Sequence, residues 1–457
     1  MDSLETIHIY HLNDVHSHFH NWPQMSRFIR EKTALHQKEG ASTFTFDLGD
    51  FIDRSHPLTD ATKGRANVQL LNEMGVDAVT IGNNEGITMA HKDLEHLYEK
   101  AEFDVLVSNL NHLDGRPFAK RSIIYETPYG TKIGVFGVTA PYYQFYKQLD
   151  WEVTDPYEAV AEMVEILASK VDILICLSHI GERFDREIAK RHSELTIILG
   201  AHTHHLFQHG EYVNESLLGA TGKYAEYIGH MKLKVDEHHQ VVSRRAGVIR
   251  TDQLAVTYQD AQFSEDYMKK GKELLNKPIF HNEFNLSNDL FQTTELDRFF
   301  GRALLEYTGA DCAMFNSGIF LGSLRRGYVT SEQLHELLPH PINVATVEVE
   351  GSFLKHIYEK TKAEDWPKIE VRGLGFRGTL MGKMHFERLY EKADGTIFIG
   401  NRRLRRDETY RLATLDMFTF GFFFPELAEL PKKYYMPELI RDVFAWYGIQ
   451  SFGSLSS

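Results

Sequence analysis

Polar clusters rich in Asp, Asn and His recur along the first half of this 457-residue chain. Six of them are Asn13-Asp14-Val15-His16, Gly49-Asp50, Gly82-Asn83-Asn84-Glu85, Ser178-His179, Gly200-Ala201-His202 and Thr203-His204. Carboxylate, amide and imidazole groups are ligands for divalent cations such as Mn²⁺ and Zn²⁺. Two cations about 4 Å apart can activate water and neutralise phosphoryl oxygens, as the hydrolysis of a phosphate ester requires. The clusters therefore predict a two-metal phosphoesterase centre.

Five hydrophobic runs precede these clusters, and their composition is that of buried strands. The runs are short, are rich in Ile, Val, Thr, Phe and Leu, and cover residues 7–12, 43–48, 78–81, 173–177 and 196–199. In an open α/β sheet, ligands bind outside the carboxyl ends of the strands. Because polar residues follow five strands in succession, we expect them to form one site.

The length and composition limit the class of protein. A chain of 457 residues is too long for one hydrophobic core, so two domains are expected. A formal net charge of −14 argues against a general binder of nucleic acid or of anionic membranes. No stretch approaches the roughly 20 apolar residues of a membrane span, and the N-terminus shows no signal peptide. We therefore expect a cytoplasmic protein with no nucleic-acid or membrane partner.

The chain contains 24 histidines, so most of them must have roles other than metal binding. His8 and His11 lie in the first predicted strand and are expected to pack inside the protein or to face solvent. Four further histidines fall in helical patterns and are expected to face solvent: His36, His91, His96 and His192.

The patterns of hydrophobic residues predict two domains and a linker. Strand and helix patterns alternate from residue 1 to residue 255, which indicates a layered α/β domain. The segment 256–278 is charged, is helical in pattern and ends at Pro278, so it is predicted to be a linker helix. Residues 279–457 mix helical and strand patterns and are predicted to form a smaller second domain.

The bridge between two cations requires a carboxylate, and Asp50 is the best candidate. A carboxylate can hold one metal on each oxygen. Gly49 has no Cβ, so the backbone can turn sharply just before Asp50. Asp14 and His16 lie two residues apart and point to the same side of an extended segment, so together they can chelate one ion.

Four more residues complete the predicted ligand set. His202 and His204 have the same two-residue spacing, and Asn83 and His179 can complete the shell of the second ion. All the ligand atoms are nitrogen or oxygen, and no thiolate is involved. This set favours two divalent ions chosen from Mn²⁺, Zn²⁺, Fe²⁺ and Co²⁺ over Ca²⁺.

These residues resemble the motifs of the calcineurin-like metallophosphoesterase superfamily, and within it those of the bacterial 5′-nucleotidase/UDP-sugar hydrolase family and its cytoplasmic members. The family's Asn-Asp-x-His-x-His-Phe motif is present as residues 13–19. Its Gly-Asp motif is Gly49-Asp50 with Ser55 following, and its Gly-His-x-His motif is residues 200–204 with Ala201 inserted. Signatures of the family's nucleotide-binding domain stand at 316–319, 327–330 and 338–339, so the resemblance covers essentially the whole chain.

The resemblance implies a fold, a division of the ligands and an activity. The first domain would be a four-layer αββα sandwich, and the smaller α+β C-terminal domain would bind the nucleotide and swing against the first. One metal would be held by Asp14, His16, Asp50 and His204, and the other by Asp50, Asn83, His179 and His202. The implied activity is hydrolysis of nucleoside 5′-monophosphates by in-line attack of a metal-bound hydroxide.

The chain departs from the family at its third motif, Gly-Asn-His-Glu-Phe-Asp, which is residues 82–87 here. The ligand Asn83 is kept, but the family's acid His is replaced by Asn84 and its Asp partner by Ile87. An Asn side chain can donate a hydrogen bond to a phosphoryl oxygen, but it cannot deliver a proton. General-acid help is worth about 10²–10⁴-fold. We therefore expect a slower enzyme, or one that prefers leaving groups needing no proton, with His18 as the alternative proton donor.

A second departure affects substrate binding, because the family's arginine after Asn-x-Gly-Ile is Phe320 here. Four nearby arginines could replace it: Arg325, Arg326, Arg372 and Arg377. The predicted contacts with substrate are Asn316, Arg377 and, for stacking on the base, Phe376 and Phe423. Phe424 is an alternative to Phe423. The run of phenylalanines at 422–424 could equally pack in the core.

Three functions follow from these observations. The first is a 5′-nucleotidase. The nearest alternative is a hydrolase of another phosphate ester, such as a UDP-sugar, a 2′,3′-cyclic nucleotide or a dinucleotide. The third is a nucleotide-binding protein that has kept the metals and has little catalytic activity.

Overall fold

The computed structural model describes residues 4–453, which form two compact units that divide between Gly271 and Lys272. Residues 1–3 and 454–457, at the outer ends of the two predicted domains, lie outside the described residues. No helix within 4–453 is both long enough and apolar enough to cross a membrane. The cytoplasmic location stays a prediction.

The N-terminal unit alternates strands and helices along most of its length. Its strands are β1 (Glu5–Leu12), β2 (Ser42–Asp47), β3 (Ala78–Val79), β4 (Asp104–Val105), β5 (Leu110–His112), β6 (Ser122–Glu126), β7 (Lys132–Thr139), β8 (Trp151–Val153), β9 (Ile173–His179), β10 (Ile197–Gly200), β11 (Glu211–Val213), β12 (Ser216–Gly219), β13 (Tyr227–Val235) and β14 (Val241–Arg250). Its helices are α1 (Trp22–Lys38), α2 (Pro57–Thr62), α3 (Arg65–Met74), α4 (Asn83–Ile87), α5 (His91–Glu95), α6 (Tyr143–Gln148), α7 (Pro156–Leu167), α8 (Glu182–Arg191) and α9 (Tyr258–Leu275), of which the last four residues belong to the second unit.

Most of these strands form two six-stranded sheets. The first has the order β14-β13-β1-β2-β3-β4, in which β1 to β4 are parallel, β13 is antiparallel to β1, and β14 is antiparallel to β13. The second has the order β11-β12-β10-β9-β7-β6, with four parallel strands in the middle and an antiparallel strand at each edge. Since the parallel strands of a sheet end on the same side, the polar clusters that follow them are brought together.

The two sheets pack face to face, and helices cover both outer faces. Alternate residues of a strand point to opposite sides of its sheet. In β1, Ile9 lies in the core between the sheets, whereas Tyr10 packs in an outer core with Met25 of α1. In β9, Ile175 lies between the sheets, whereas Cys176 packs against the helices of the other face. These layers confirm the αββα architecture.

The helix predicted as a linker, α9, packs against the N-terminal unit. Phe263 and Tyr267 stack on each other with ring centroids 4.2 Å apart, and both lie against the outer core formed by α1 and α3. In the same unit, Arg27 of α1 pairs with Asp260 of α9, their nitrogen and oxygen 2.5 Å apart. The domain limits 1–255, 256–278 and 279–457 stay a prediction.

The second unit has a mixed α+β fold. Its strands are β15 (Pro278–Asn282), β16 (Cys312–Asn316), β17 (Gly327–Thr330), β18 (Asn343–Glu350), β19 (Met384–Glu387), β20 (Leu389–Glu391), β21 (Ile397–Ile399), β22 (Arg402–Arg403), β23 (Thr409–Leu415) and β24 (Lys432–Leu439). Its helices are α10 (Glu295–Thr308), α11 (Ser331–Leu337), α12 (Gly351–Lys360), α13 (Pro425–Glu429) and α14 (Ile440–Phe452). The central sheet has the order β19-β16-β23-β18-β24, and only the pair β16-β23 is parallel.

Candidate metal centre

Five of the seven predicted ligands lie in loops with an uncommon backbone conformation. Their φ angles lie between 50° and 75°, in the left-handed region: Asp14, His16, Asp50, His202 and His204. Such a conformation costs about 1–3 kcal/mol for a residue other than glycine, and it persists where the surrounding structure holds it. Here the loop after β1 donates backbone N–H groups to the loop after β2, from Asp14 to Gly49 and from His16 to Asp50.

Asp14 is fully buried, and its two carboxylate oxygens have different surroundings. Oδ2 accepts hydrogen bonds from Asn13 Nδ2 at 2.8 Å and from the backbone N–H of His202 at 3.0 Å. Oδ1 has no hydrogen-bond partner. It faces the Nε2 atoms of His204 at 3.4 Å and of His16 at 3.7 Å. Asn13 therefore holds the Asp14 side chain so that Oδ1 remains available to bind a metal ion.

Asp50 is also buried, and its oxygens are divided in the same way. Oδ1 accepts the backbone N–H of Asn84 at 2.7 Å. Oδ2 faces His179 Nε2 at 3.5 Å and His16 Nε2 at 3.7 Å. A bridge through both oxygens was expected. In the structure, Oδ2 alone faces both His179 and His16, because Oδ1 is hydrogen-bonded to the backbone of α4.

His179 has no exposed surface, and its ring is held in one tautomer. Its Nδ1 donates to the carbonyl oxygen of Leu48 at 2.7 Å, so the lone pair lies on Nε2. That Nε2 has no hydrogen-bond partner, and it faces Asp50 Oδ2 and Asp14 Oδ1, the latter at 3.9 Å. A buried nitrogen and a buried oxygen left unpaired beside each other fit a cation that both atoms would bind.

Asn83 and His202 form the second part of the centre. His202 Nδ1 lies 2.9 Å from Asn83 Oδ1, and the rings of His202 and His179 have centroids 5.3 Å apart. On the other side, the Tyr142 hydroxyl lies 3.4 Å from His202 Nε2. The rings of His202 and His204 therefore face different predicted ligands, because Nε2 of His204 lies against Asp14.

The charges of the buried residues also fit bound cations. Burial alone would raise the pKa of Asp14 and of Asp50, but the neighbouring histidines hold both pKa values below the usual value. Burial alone would lower the pKa of His179, but the carboxylates of Asp50 and Asp14 raise it to about 10. The buried carboxylates therefore favour positive charge beside them, which a bound cation would supply.

Glu85 holds the loop that carries Asp50, a role that was not predicted from the sequence. Its carboxylate accepts three backbone N–H groups, those of Gly82 at 2.8 Å and of Asp50 and Ile52 at 2.9 Å. Burial, followed by repulsion from Asp50, raises the pKa of Glu85 to about 7. Asn13 and Glu85 stand inside the polar clusters, but only the folded chain shows what they bind.

Asn84 lies beside the centre, and its amide group is hydrogen-bonded to protein atoms. It is buried, and its Nδ2 lies 2.9 Å from His16 Nδ1 and donates to the carbonyl oxygen of Ile52 at 3.0 Å. Its Oδ1 accepts from Asn83 Nδ2 at 3.2 Å. These contacts argue against the predicted hydrogen bond from Asn84 to a phosphoryl oxygen, because the amide group is already used. They favour a role in orienting the ring of His16.

We expect Asn84→Ala to reduce kcat/KM about 10–100-fold, because residues that orient metal ligands have effects of this size. The reduction should be equal for AMP and p-nitrophenyl phosphate, measured by phosphate release with added Mn²⁺. Asn72→Ala is a suitable control, since Asn72 also makes two backbone hydrogen bonds, to Lys100 and Glu102, outside the site. A loss confined to AMP would contradict the orienting role.

His18, the predicted alternative proton donor, is exposed at the edge of this centre. Its ring stacks on Tyr224 with centroids 3.7 Å apart. The Tyr224 ring in turn lies 5.9 Å from the ring of His16 and 6.5 Å from that of His204. Tyr224 also donates its backbone N–H to the carbonyl oxygen of Asp14 at 2.8 Å. Nothing in the sequence indicated that Tyr224 borders the centre.

The two aromatic residues predicted to stack on a base are buried in the core of the second unit. Phe376 is 4% exposed and stacks on His340, and Phe423 is 7% exposed and packs against Phe418. Both rings are therefore largely covered by protein, and their predicted stacking on a base stays a prediction. In the same run of phenylalanines, Phe422 is 73% exposed.

The two residues predicted to make polar contacts with the substrate, Asn316 and Arg377, also lie in the second unit. Asn316 is fully buried, and its Nδ2 donates to the carbonyl oxygen of Met381 at 2.7 Å. Arg377 is half-buried, and its backbone N–H donates to His340 Nδ1 at 2.8 Å. Phe320, at the position of the family's arginine, is part of the hydrophobic core. The role of each residue in substrate binding stays a prediction.

Two family models match this chain. The model described as calcineurin-like phosphoesterase matches residues 7–206, and the model described as 5′-nucleotidase, C-terminal domain, matches residues 272–422. The first range contains all seven predicted metal ligands.

Individual proteins are similar over nearly the full length. The uncharacterised metallophosphoesterase YunD of Bacillus subtilis is 37% identical over 456 residues, which cover 97% of this chain and 99% of YunD. A 5′-nucleotidase of Vibrio vulnificus is 23% identical, covering 90% of this chain and 84% of its own. The structure of the NAD nucleotidase of Haemophilus influenzae has the same fold, with a TM-score of 0.62, 14% identity, and coverage of 99% of this chain and 96% of its own.

Proposed function

Since this chain belongs to the calcineurin-like metallophosphoesterases and carries a 5′-nucleotidase C-terminal domain, we propose that it hydrolyses nucleoside 5′-monophosphates. The family makes it a phosphoric ester hydrolase. The observation that carries the proposal is the pair of buried, unpaired ligand atoms, Asp14 Oδ1 and His179 Nε2, within reach of Asp50 Oδ2. A site of this kind, next to a domain of the nucleotidase type in the sequence, supports a nucleotide as substrate.

We assign the seven predicted ligands to two divalent cations of the Mn²⁺, Zn²⁺, Fe²⁺ or Co²⁺ class. One would be held by Asp14, His16, Asp50 and His204, and the other by Asp50, Asn83, His179 and His202. When bound, the two cations supply an activated water molecule and charge neutralisation at the phosphoryl group. The chain itself supplies fixed ligand atoms, because Asn13, Glu85 and Leu48 hold the side chains or loops that carry them.

The leaving group of an alkyl phosphate needs a proton, and His18 is the residue of this chain that we assign to supply it. Its exposed ring lies on the face of Tyr224, which borders His16 and His204. Asn84 is not available for this step, because an amide has no proton to transfer. In the second domain, Phe422 is the most exposed ring of the segment 420–424 and offers a surface for a base, with Asn316 and Arg377 as the predicted polar contacts.

A second candidate substrate is an ester whose leaving group needs no proton, such as an aryl phosphate, a pyrophosphate or a cyclic diester. The observation that favours it is Asn84 at the position of the family's acid, with its amide bound to protein atoms. Loss of an acid slows esters with poor leaving groups far more than those with good ones.

The two candidates are separated by chromatographic measurement of the hydrolysis products that the metal-stripped protein forms after Mn²⁺ is added back. The substrates are AMP, UDP-glucose, 2′,3′-cyclic AMP and p-nitrophenyl phosphate. We expect kcat/KM for AMP to be at least as high as for the aryl ester. Activity on the aryl, cyclic or pyrophosphate substrates without AMP turnover would contradict the nucleotidase proposal and support the second candidate.

A further inference from the structure

A second group of metal-binding side chains lies in the N-terminal unit outside the dinuclear centre. His91 and Glu95 lie one helical turn apart on α5, and His112 ends strand β5. Each offers a ring nitrogen or a carboxylate oxygen, and these atoms lie within 4.8 Å of one another. Ligands that share one zinc-like ion lie about 2.0–2.2 Å from it, so a small movement of the exposed Glu95 side chain brings all three within reach.

The two histidines are held in place by Trp151 of β8. His112 is the cross-strand partner of Trp151, and their ring centroids lie 4.6 Å apart. His91 stacks on the same indole with centroids 4.0 Å apart and an angle of 21° between the rings. Trp151 is 1% exposed, so these contacts keep both rings in fixed orientations. His91 was expected to face solvent, but its stacking on Trp151 makes it half-buried.

The tautomer of His91 is also fixed. Its Nδ1 lies 3.1 Å from the carbonyl oxygen of Leu149, which can only accept, so Nδ1 carries the hydrogen. The lone pair therefore lies on Nε2. A backbone carbonyl that binds the second ring nitrogen is the usual support of a metal-binding histidine. Arg116, whose carbonyl oxygen accepts the backbone N–H of His112, pairs through its side chain with Asp114 at 4.0 Å.

We propose that His91, Glu95 and His112 bind a third divalent cation, separate from the dinuclear centre. Two imidazoles and one carboxylate favour Zn²⁺, Ni²⁺ or Cu²⁺ over Ca²⁺ or Mg²⁺. Three protein ligands on a partly exposed surface leave a position for water. The ion would tie α5 to the β5-β8 sheet, and α5 follows the segment 83–88 that carries Asn83 and Asn84. Its role is therefore to hold that segment in place.

Trp151 provides a readout that does not depend on catalysis. Ni²⁺ quenches the emission of an indole in contact with its ligands, so a titration of the stripped, full-length protein with Ni²⁺ reports binding at this site. We expect Glu95→Gln to raise the dissociation constant for the Trp151-dependent quenching at least about 10-fold, since loss of a ligand costs more than loss of a supporting contact. Trp151→Phe should remove this part of the quenching.

Glu99→Gln is the matched control, because Glu99 is an exposed acid one turn beyond Glu95 that lies near His96 at 3.7 Å. It should titrate as the wild type does. Zinc content after equilibration and desalting gives a second readout, with one ion fewer per chain expected for Glu95→Gln. Equal zinc content and equal quenching in the wild type and Glu95→Gln would overturn the proposal and leave the two histidines as packing partners of Trp151.

Discussion

Asp50→Asn should reduce kcat/KM for every phosphate ester by about 10³-fold or more. Metal ions contribute several kcal/mol to the stabilisation of such a transition state, and about 4 kcal/mol corresponds to about 10³-fold in rate. Asp50 Oδ2 is the atom that faces both His16 and His179, so its replacement by an amide removes the shared ligand. The amide oxygen can still accept the backbone N–H of Asn84, which preserves the loop.

The measurement combines phosphate release with thermal unfolding in the presence and absence of Mn²⁺. A ligand that binds only the folded state stabilises it by about 2.7 kcal/mol at a hundredfold excess over its dissociation constant. Mn²⁺ should therefore raise the unfolding temperature of the wild type and leave that of Asp50→Asn nearly unchanged. Asp252→Asn, which removes an exposed carboxylate paired with Arg250, is the control. Wild-type turnover in Asp50→Asn would disprove the bridging assignment.

Gly82→Ala should reduce kcat/KM about 100-fold, although it replaces none of the predicted ligands. A Cβ at position 82 would lie 2.0 Å from Asp50 Oδ1 and 2.6 Å from the Asp50 backbone nitrogen. Gly82 has φ −98° and ψ −171°, a conformation open to any residue, so the effect arises from the clash with Asp50 alone. A displacement of about 1 Å at a reacting centre can cost about 10²-fold.

The control for this substitution is Gly247→Ala in β14, where an added Cβ meets no atom within 4 Å. Circular dichroism and thermal unfolding establish that both variants are folded, and Mn²⁺ titration reports the affinity for metal. We expect Gly82→Ala to bind Mn²⁺ more weakly and Gly247→Ala to match the wild type. A kcat/KM for Gly82→Ala within about threefold of the wild type would show that the loop adjusts without moving Asp50.

Much of the layered domain could be predicted because its signals are local. The runs before the polar clusters overlap with β1, β2, β3, β9 and β10, and each strand ends within its cluster or up to three residues before it. Helix α7 begins after Asp155, whose side chain accepts the backbone N–H groups of Tyr157 and Glu158, as the Asp-Pro pair indicated. Hydrophobic runs and capping residues act over a few residues, so sequence is sufficient to read them.

The aromatic contacts with substrate could not be predicted in the same way. Phe422 and Phe423 are neighbours of the same type, yet one is 73% exposed and the other 7% exposed. Residue type gives the tendency to be buried, but the packing of the surrounding helices and strands decides which ring is covered. The placement of Phe376 against His340 likewise depends on residues 36 positions apart in the chain.

The sequence by itself determined the chemistry of the centre, because Asp, Asn and His at strand ends limit the ligands to nitrogen and oxygen. Only the tertiary structure decided which atom of each side chain faces the metal centre. Asp50 presents one oxygen because α4 binds the other, and Asn84 turns to His16 and Ile52. The proposed third cation site depends on the pairing of β5 with β8 and on the packing of His91 against Trp151, which together place His112 beside His91. Each of these contacts joins residues distant in sequence, and the pairing of strands and the packing of helices against them set their geometry.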